Sequence, residues 1–411
     1  MNETVLQFLL DVPEGIVAIL AAGAVTYLLL AVICCARFPA GQREADSLLP
    51  AVTLLKPLCG AEADLDRALR SFFVQQYDGD LQIVFGVRTE ADPAVAVARD
   101  LMAEFPEVDA TVVVDATVHG PNLKVSNLLN MMRAARHQVL VVSDSDTVIG
   151  PDGLNQVVAS LADPSVGAAT CLFRGRPATG SGRVGQLGAL YIDGWFLPSA
   201  VIDATFSSPD FCFGPLTALR RDVFEAAGGF GRLTHALADD TELGHLTVEQ
   251  GYRVAFAPLA IDTIVPESRL ADLLQHELRW ARTTRALRPV ANLGQIFTFA
   301  QPVILVGFLA SPSLWLGLMT GLVAALRVVL VGIVDLKFGR SATSRSPTPW
   351  GLVYREFLCC GVWLMAFAGR QISWRGRRLA ITGQARLAPD AITSGDAFPE
   401  GGRGVSARRP E

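Results

Sequence analysis

The sequence predicts an α/β domain built on a mostly parallel sheet and tied to a membrane by flanking apolar helices. Three observations predict it. Between about residues 49 and 288, short apolar runs alternate with stretches of helical periodicity, the rhythm of strands joined by crossover helices. Two regions, Gly15 to Ala36 and Pro289 to Leu326, carry no charge at all. Charged residues make up only 18% of the chain and hydrophobic ones 51%, where a soluble domain has about 25% charged.

Taken in order, residues 1–14 form a short N-terminal segment and 15–36 a membrane helix, long enough to cross about 30 Å of hydrocarbon. Asp11 and Glu14 precede it and Arg37 and Arg43 follow it. The positive-inside rule then puts the N-terminus outside and the following domain in the cytoplasm, as expected for a multi-pass membrane protein. A cleaved signal peptide is the alternative; the segment lacks a basic start and its apolar run is too long.

Within 49–288 the expected strands are Val52–Leu55, Leu81–Val87, Thr111–Asp115, Gln138–Ser143 and Val166–Phe173. The expected helices are Asp64–Gln75, Pro93–Phe105, Lys124–Arg136 and Gly153–Leu161. Residues 289–334 are too long for one span, and Ser311-Pro312-Ser313 breaks them into a hairpin. Lys337, Arg340 and Arg345 in the loop 335–350 fit a return to the cytoplasm. Residues 351–369 read as a span with Arg355 snorkelling, or as a re-entrant segment. The basic cluster Arg375, Arg377, Arg378 favours the second. The tail 370–411, basic and rich in Gly, Arg and Pro from about Thr382, reads as disordered.

Composition also excludes. A formal net charge of -5 gives no support for nucleic acid as a partner. The seven cysteines form no C-x-x-C pair, so neither a zinc site nor a disulfide framework is expected. No G-x-G-x-x-G or P-loop pattern is present.

In open α/β sheets ligands bind beyond the carboxyl ends of the strands, and the polar residues at those positions form a series. Asp92 follows the second strand and either caps the helix at Pro93 or contacts a ligand. Asn122 and Lys124 follow the third. Lys124, one of three lysines with Lys56 and Lys337, is either a solvated helix start or a point charge for phosphates. Asp144-Ser145-Asp146 ends the fourth strand. Its two carboxylates are hard ligands suited to Mg²⁺ or Mn²⁺, or else an Asx turn.

Farther along, Asp239 and Asp240 open an apolar helix. Asp239 is expected to cap it, which leaves Asp240 available as a general base. The helix with His276, Arg279, Trp280 and Arg282 offers guanidinium groups for a diphosphate and a flat ring for a sugar, or a basic face for anionic lipid. Leu187 to Ile202, with Trp195 and Phe196, either lines the route of a lipid or is a buried core helix.

Together these motifs resemble the ceramide glucosyltransferase family of membrane glycosyltransferases with the GT-A nucleotide-sugar-binding fold. Three ordered aspartate motifs match Asp92, Asp144 and Asp240. A (Q/R)-x-x-R-W motif matches Arg279 and Trp280, with His276 where Gln or Arg is expected. Cys212 to Arg221 is similar to the segment before the third aspartate. Lys124-Val125-Ser126-Asn127 is similar to a donor loop of cellulose-synthase-like relatives. Stretches 119–124 and 193–198 resemble bacterial hopanoid-biosynthesis members.

The resemblance implies a UDP-sugar donor, UDP-N-acetylglucosamine or UDP-glucose. It implies a divalent metal, a membrane lipid acceptor (a bacteriohopane polyol or a ceramide) and inversion at the anomeric carbon. On it, Asp92, Lys124, Asp144, Arg279 and Trp280 bind the donor, Asp144 and Asp146 the metal, and Asp240 is the base. A polyprenyl-phosphate transferase and a processive polysaccharide synthase would share these motifs, and an inactive scaffold is the non-enzyme alternative. A processive synthase also needs more spans than this chain supplies.

Overall fold

The computed structural model describes residues 3–39, 49–339, 347–374, 377–382 and 385–389. The expectations resting on Arg43, Arg340, Arg345 and Arg375 and on residues 390–411 lie outside these.

Helix α1 (Glu3–Arg37) leads into the α/β domain. There follow β1 (Val52–Pro57), α2 (Leu65–Phe73), β2 (Leu81–Val87), α3 (Pro93–Glu104), β3 (Asp109–Val114) and α4 (Leu123–Met131). Next come β4 (Val139–Ser143), β5 (Thr147–Val148), α5 (Gly153–Ala159), β6 (Val166–Pro177), α6 (Gly182–Tyr191) and, after one π-helical turn at Ile192–Phe196, α7 (Leu197–Phe206). The domain closes with β7 (Leu216–Arg220), α8 (Arg221–Ala226), α9 (Asp239–Glu249), β8 (Arg253–Val265) and α10 (Leu270–Leu287). The sheet order is β3-β2-β1-β4-β7-β6-β8-β5. The β3-β2-β1-β4 half and the β6–β8 pair are parallel, while β7 and β5 run antiparallel to their neighbours. The mostly parallel sheet expected from the sequence is therefore present. It also gains three strands, β5, β7 and β8, that periodicity did not single out.

Central strands are buried on both faces, as their continuous apolar runs require. Alternation sends successive residues to opposite layers. Leu54, Ile83, Phe85 and Val141 pack with α2, α3 and α5, whereas Leu55, Val84, Leu140 and Val142 pack with α4 and α9. Each such side chain contributes about 2 kcal/mol relative to leaving it exposed. Because β1, β2, β3, β4, β6 and β8 point the same way, their following loops gather along one edge, and that edge carries the site.

The chain continues with α11 (Pro289–Gly294), α12 (Gln301–Ala310), α13 (Leu314–Phe338) and α14 (Pro349–Ala366). Among the described residues two helices, Gly15–Arg37 and Leu314–Phe338, are long and apolar enough to cross a membrane. The break at Ser311–Ser313 is where the sequence put it, and the Ser313 hydroxyl caps α13. The first arm is not one straight span, however. Pro289–Phe297 and Gln301–Ala310 meet at a 45° bend, and α12 alone spans only about 15 Å.

Two expectations are corrected here. Arg355 does not snorkel: it is fully buried and pairs with Glu277 of α10 at 2.6 Å, because α14 packs against α10, α12 and α13. Part of the tail is ordered. The segments β9 (Gln371–Trp374), β10 (Arg377–Ile381) and β11 (Leu387–Pro389) form a small antiparallel sheet. Ile372, Leu379, Ile381 and Leu387 bury against Leu237, so a few well-placed apolar residues outweigh the Gly- and Arg-rich composition.

Candidate active site

Asp144 leaves the carboxyl end of β4 with its main-chain carbonyl held by Lys56 Nζ at 2.7 Å. Lys56, the penultimate residue of β1, is fully buried, donates also to Ser143 Oγ at 3.1 Å and sits 4.0 Å over the Phe72 ring. Burial pushes this lysine down to about 7, against the pull of Asp146, Asp144 and Glu62. It fixes the turn that aims Asp144 and Asp146. Sequence reasoning noted Lys56 without giving it a role. The available signal was a lysine ending an otherwise apolar strand in a chain with three lysines.

The Asp144 side chain meets Lys124, whose Nζ lies 2.7 Å from Asp144 Oδ1 and 2.9 Å from Asp239 Oδ2. Lys124 sits in the first turn of α4, which Asn122 caps by accepting from Val125 N at 3.1 Å. Burial alone would lower Lys124, but Asp144 and Asp239 together hold it charged and raise it. Asp239 therefore does not cap α9: the capping position is Ala238, with no side-chain hydrogen bond. Asp239 is instead an ion-pair partner. Burial works against its charge, yet Lys124 keeps it below the usual carboxylate range.

Asp240 turns to the other side. Its Oδ2 accepts from Gly214 N at 2.9 Å and its Oδ1 from Thr241 N at 2.8 Å. A Cβ built on Gly214 would lie 3.1 Å from Asp144 Oδ2 and 3.3 Å from Asp240 Oδ2. The two carboxylates thus flank the same backbone position, and the absence of a side chain there leaves the space between them open. Burial, reinforced by Asp239, raises Asp240 to about 6, a value suited to a base at neutral pH.

Asp146 fits a hard cation. Its Oδ1 is buried without a hydrogen-bond partner, and burial together with Asp144 and Glu62 raises it to about 7. Glu62 is drawn in by Ser145 Oγ at 2.6 Å. Asp144 and Asp146 could hold Mg²⁺ or Mn²⁺. Among the described residues no third Asp, Glu, His or Cys completes an all-protein cage, which suits a metal that shares its shell with phosphates and water.

The remaining residues expected at the site are placed as follows. Asp92 caps α3 through Ala94 N at 2.9 Å and also accepts from Gly60 N at 2.9 and 3.1 Å. The capping reading holds, and Asp92 ties the loop after β1 to the loop after β2. Trp280, half-buried on α10, stacks at 6.2 Å on Tyr191 and meets His276 edge-on at 4.4 Å. His276 is held by Glu267 at 2.6 Å. Burial opposes the charge on Glu267, but His276, with Arg279 nearby, holds it low.

Arg282 is engaged elsewhere. Together with Arg285 it donates to the carbonyls of residues 367, 368, 369 and 371, closing the end of α14. Trp195 is buried, its ring 4.6 Å from the Arg327 guanidinium and packed on Phe299 and Val331, so it forms part of the joint between the domain and the membrane helices. Phe196 is half-buried and contacts Phe173 and Phe213. Phe213 immediately precedes Gly214.

One family pattern extends over nearly the whole chain: glycosyl transferase family 21 matches residues 16–387. The chain belongs to glycosyl transferase family 21. Among relatives of this family 21 chain, ceramide glucosyltransferase 3 of Caenorhabditis elegans is 25% identical over 260 residues, 60% of this chain and 53% of that one. Ceramide glucosyltransferase 1 of the same organism is 33% identical over 118 residues, 29% of this chain and 25% of that one. The matches thus span about half or less of those relatives.

The solved mannosyltransferase of Pyrobaculum calidifontis, in complex with GDP-Man and Mn²⁺, superposes with a TM-score of 0.53. It is 19% identical and covers 87% of this chain and 99% of that one. That likeness establishes the GT-A fold for this family 21 member. The resemblance read from the motifs to ceramide glucosyltransferases is borne out.

Proposed function

We propose that this protein transfers a sugar from a UDP-sugar to the hydroxyl of a membrane lipid, with inversion at the anomeric carbon. The observation that carries the reading is the convergence of Asp144 and Asp240 on Gly214: a strand-end carboxylate for the donor, ion-paired to Lys124, and a second carboxylate held by backbone N–H groups for the acceptor.

In this reading the donor lies across the carboxyl edge of the sheet, with its nucleoside near Asp92 and its diphosphate near Asp144, Asp146 and Arg279. Trp280 bounds the sugar. Asp144 and Asp146 would hold Mg²⁺ or Mn²⁺, which would supply positive charge to the departing diphosphate. Lys124 keeps Asp144 oriented. The acceptor hydroxyl attacks the anomeric carbon on the face opposite the diphosphate, and its proton passes to Asp240. The new C–O bond forms as the bond to the diphosphate breaks, and UDP leaves. General-base help of this kind is worth about 10²- to 10⁴-fold.

The names of the relatives favour ceramide and UDP-glucose, while the stretches 119–124 and 193–198 favour a bacteriohopane polyol and UDP-N-acetylglucosamine. Purified protein incubated with both donors and both lipids, read by mass spectrometry, tests the proposal. A glycosylated lipid of inverted configuration is expected. Absence of any lipid product, or a product that retains the donor's configuration, refutes it.

A further inference from the structure

A cavity of about 320 Å³ opens beside the catalytic edge. It holds roughly ten waters' worth of space. Its walls come from the end of α7, the loop 207–211, the start of α9 and the end of α10. Asp203, Ser207, Ser208, Asp210, His245 and Arg288 supply the polar lining, and Thr241 completes it. Thr241 directly follows Asp240. On the opposite wall Phe211 contacts Phe213 at 5.2 Å, next to Gly214. A group seated in the cavity therefore lies against the residue that follows the base in the chain.

Resting on the function proposed above, we propose that this cavity binds the head of the lipid acceptor, and that the head is a neutral polyol rather than a phosphate. The charge pattern carries the second half of the statement. Arg288 is the cavity's guanidinium, and it is already engaged by Asp203 at 3.1 Å and Asp210 at 3.0 Å. His245 lies 3.3 Å from Asp210 and 3.8 Å from Glu242. The lining is thus negative in balance and rich in acceptors, which attracts hydroxyl donors and repels an anionic head.

The rim carries the first half. Arg288 directly precedes α11, the start of the bent apolar pair. Val290 and Leu293 on that helix are 82% and 57% exposed, and Phe206 at the end of α7 is 68% exposed. Exposed apolar side chains beside a polar cavity suit a molecule whose tail stays in the bilayer while its head leaves it.

The test uses the full chain in lipid nanodiscs with each UDP-sugar and three acceptors: ceramide, a bacteriohopane polyol and a polyprenyl phosphate. Ser208→Trp and Ser207→Trp fill the cavity from exposed loop positions. The expected result is transfer to a hydroxyl lipid but not to the phosphate. Each variant should raise KM for the lipid at least tenfold, with UDP affinity within twofold of wild type. Retained UDP affinity also shows that the variants are folded. Unchanged lipid KM in both variants overturns the site, as does an equal loss of UDP affinity. Wild-type transfer to the polyprenyl phosphate alone overturns the polyol assignment. Wild type that glycosylates no lipid refutes the proposed function itself and this site with it.

Discussion

Asp144 and Asp240 face each other across Gly214, whose missing Cβ would come within 3.1 and 3.3 Å of their carboxylate oxygens. Gly214→Ala should leave the fold intact, since both neighbours are side-chain ends that can shift by a few tenths of an ångström. The shift displaces the reacting groups, and small displacements are expensive in catalysis. Turnover should fall on the order of tenfold to a hundredfold, with the thermal midpoint nearly unchanged. Wild-type turnover in that variant would show that the gap between the two aspartates is not used.

The acid limb of the pH profile should report Asp240. Burial and Asp239 raise this carboxyl to about 6, and the base is active only when ionised. kcat/KM should therefore drop about tenfold per unit below that pH. The sign for stability is the reverse. A carboxyl with a raised folded value is favoured protonated, so at this residue lowering the pH towards the unfolded value stabilises the fold. Loss of activity near pH 6 should thus precede unfolding, which circular dichroism alongside the rate will show. An acid limb near 4 would assign the base elsewhere.

Divalent metal should be required. With Asp146 Oδ1 buried and unpartnered, exhaustive chelation should abolish transfer, and Mn²⁺ or Mg²⁺ should restore it. Asp146→Asn should raise the metal concentration needed for half-maximal rate. Full activity after chelation would contradict the assignment of Asp144 and Asp146.

Asp11 and Glu14 before the first apolar span, against Arg37 and Arg43 after it, predict a domain on the cytoplasmic side. Protease added to intact cells should leave the domain whole and digest it only after permeabilisation. Cleavage of the domain in intact cells would reverse the orientation.

Sequence reasoning reached the strands β1, β2 and β4 because a fully buried parallel strand writes itself as an unbroken apolar run, and Asp144 because it ends one of them. Asp240 was legible as an extra acid in an apolar helix start. What sequence could not show were partnerships across long separations. Lys56 meets Ser143 and the Asp144 carbonyl from 87 and 88 residues away. Lys124 meets Asp239, which helical spacing had made a cap. Arg355 looked like a snorkelling residue because its burial depends on Glu277 of a distant helix. Trp195 was ambiguous for a related reason: an apolar helix beside a membrane has the same composition whether it lines a path or plugs a joint.

The turnover of Asp240→Asn decides whether this carboxylate takes the acceptor's proton. The substitution keeps the shape of the side chain and removes its capacity to take a proton. The account predicts a loss of about 10²- to 10⁴-fold in transfer to lipid, with UDP affinity nearly intact. A variant that keeps more than about a tenth of wild-type turnover would contradict it.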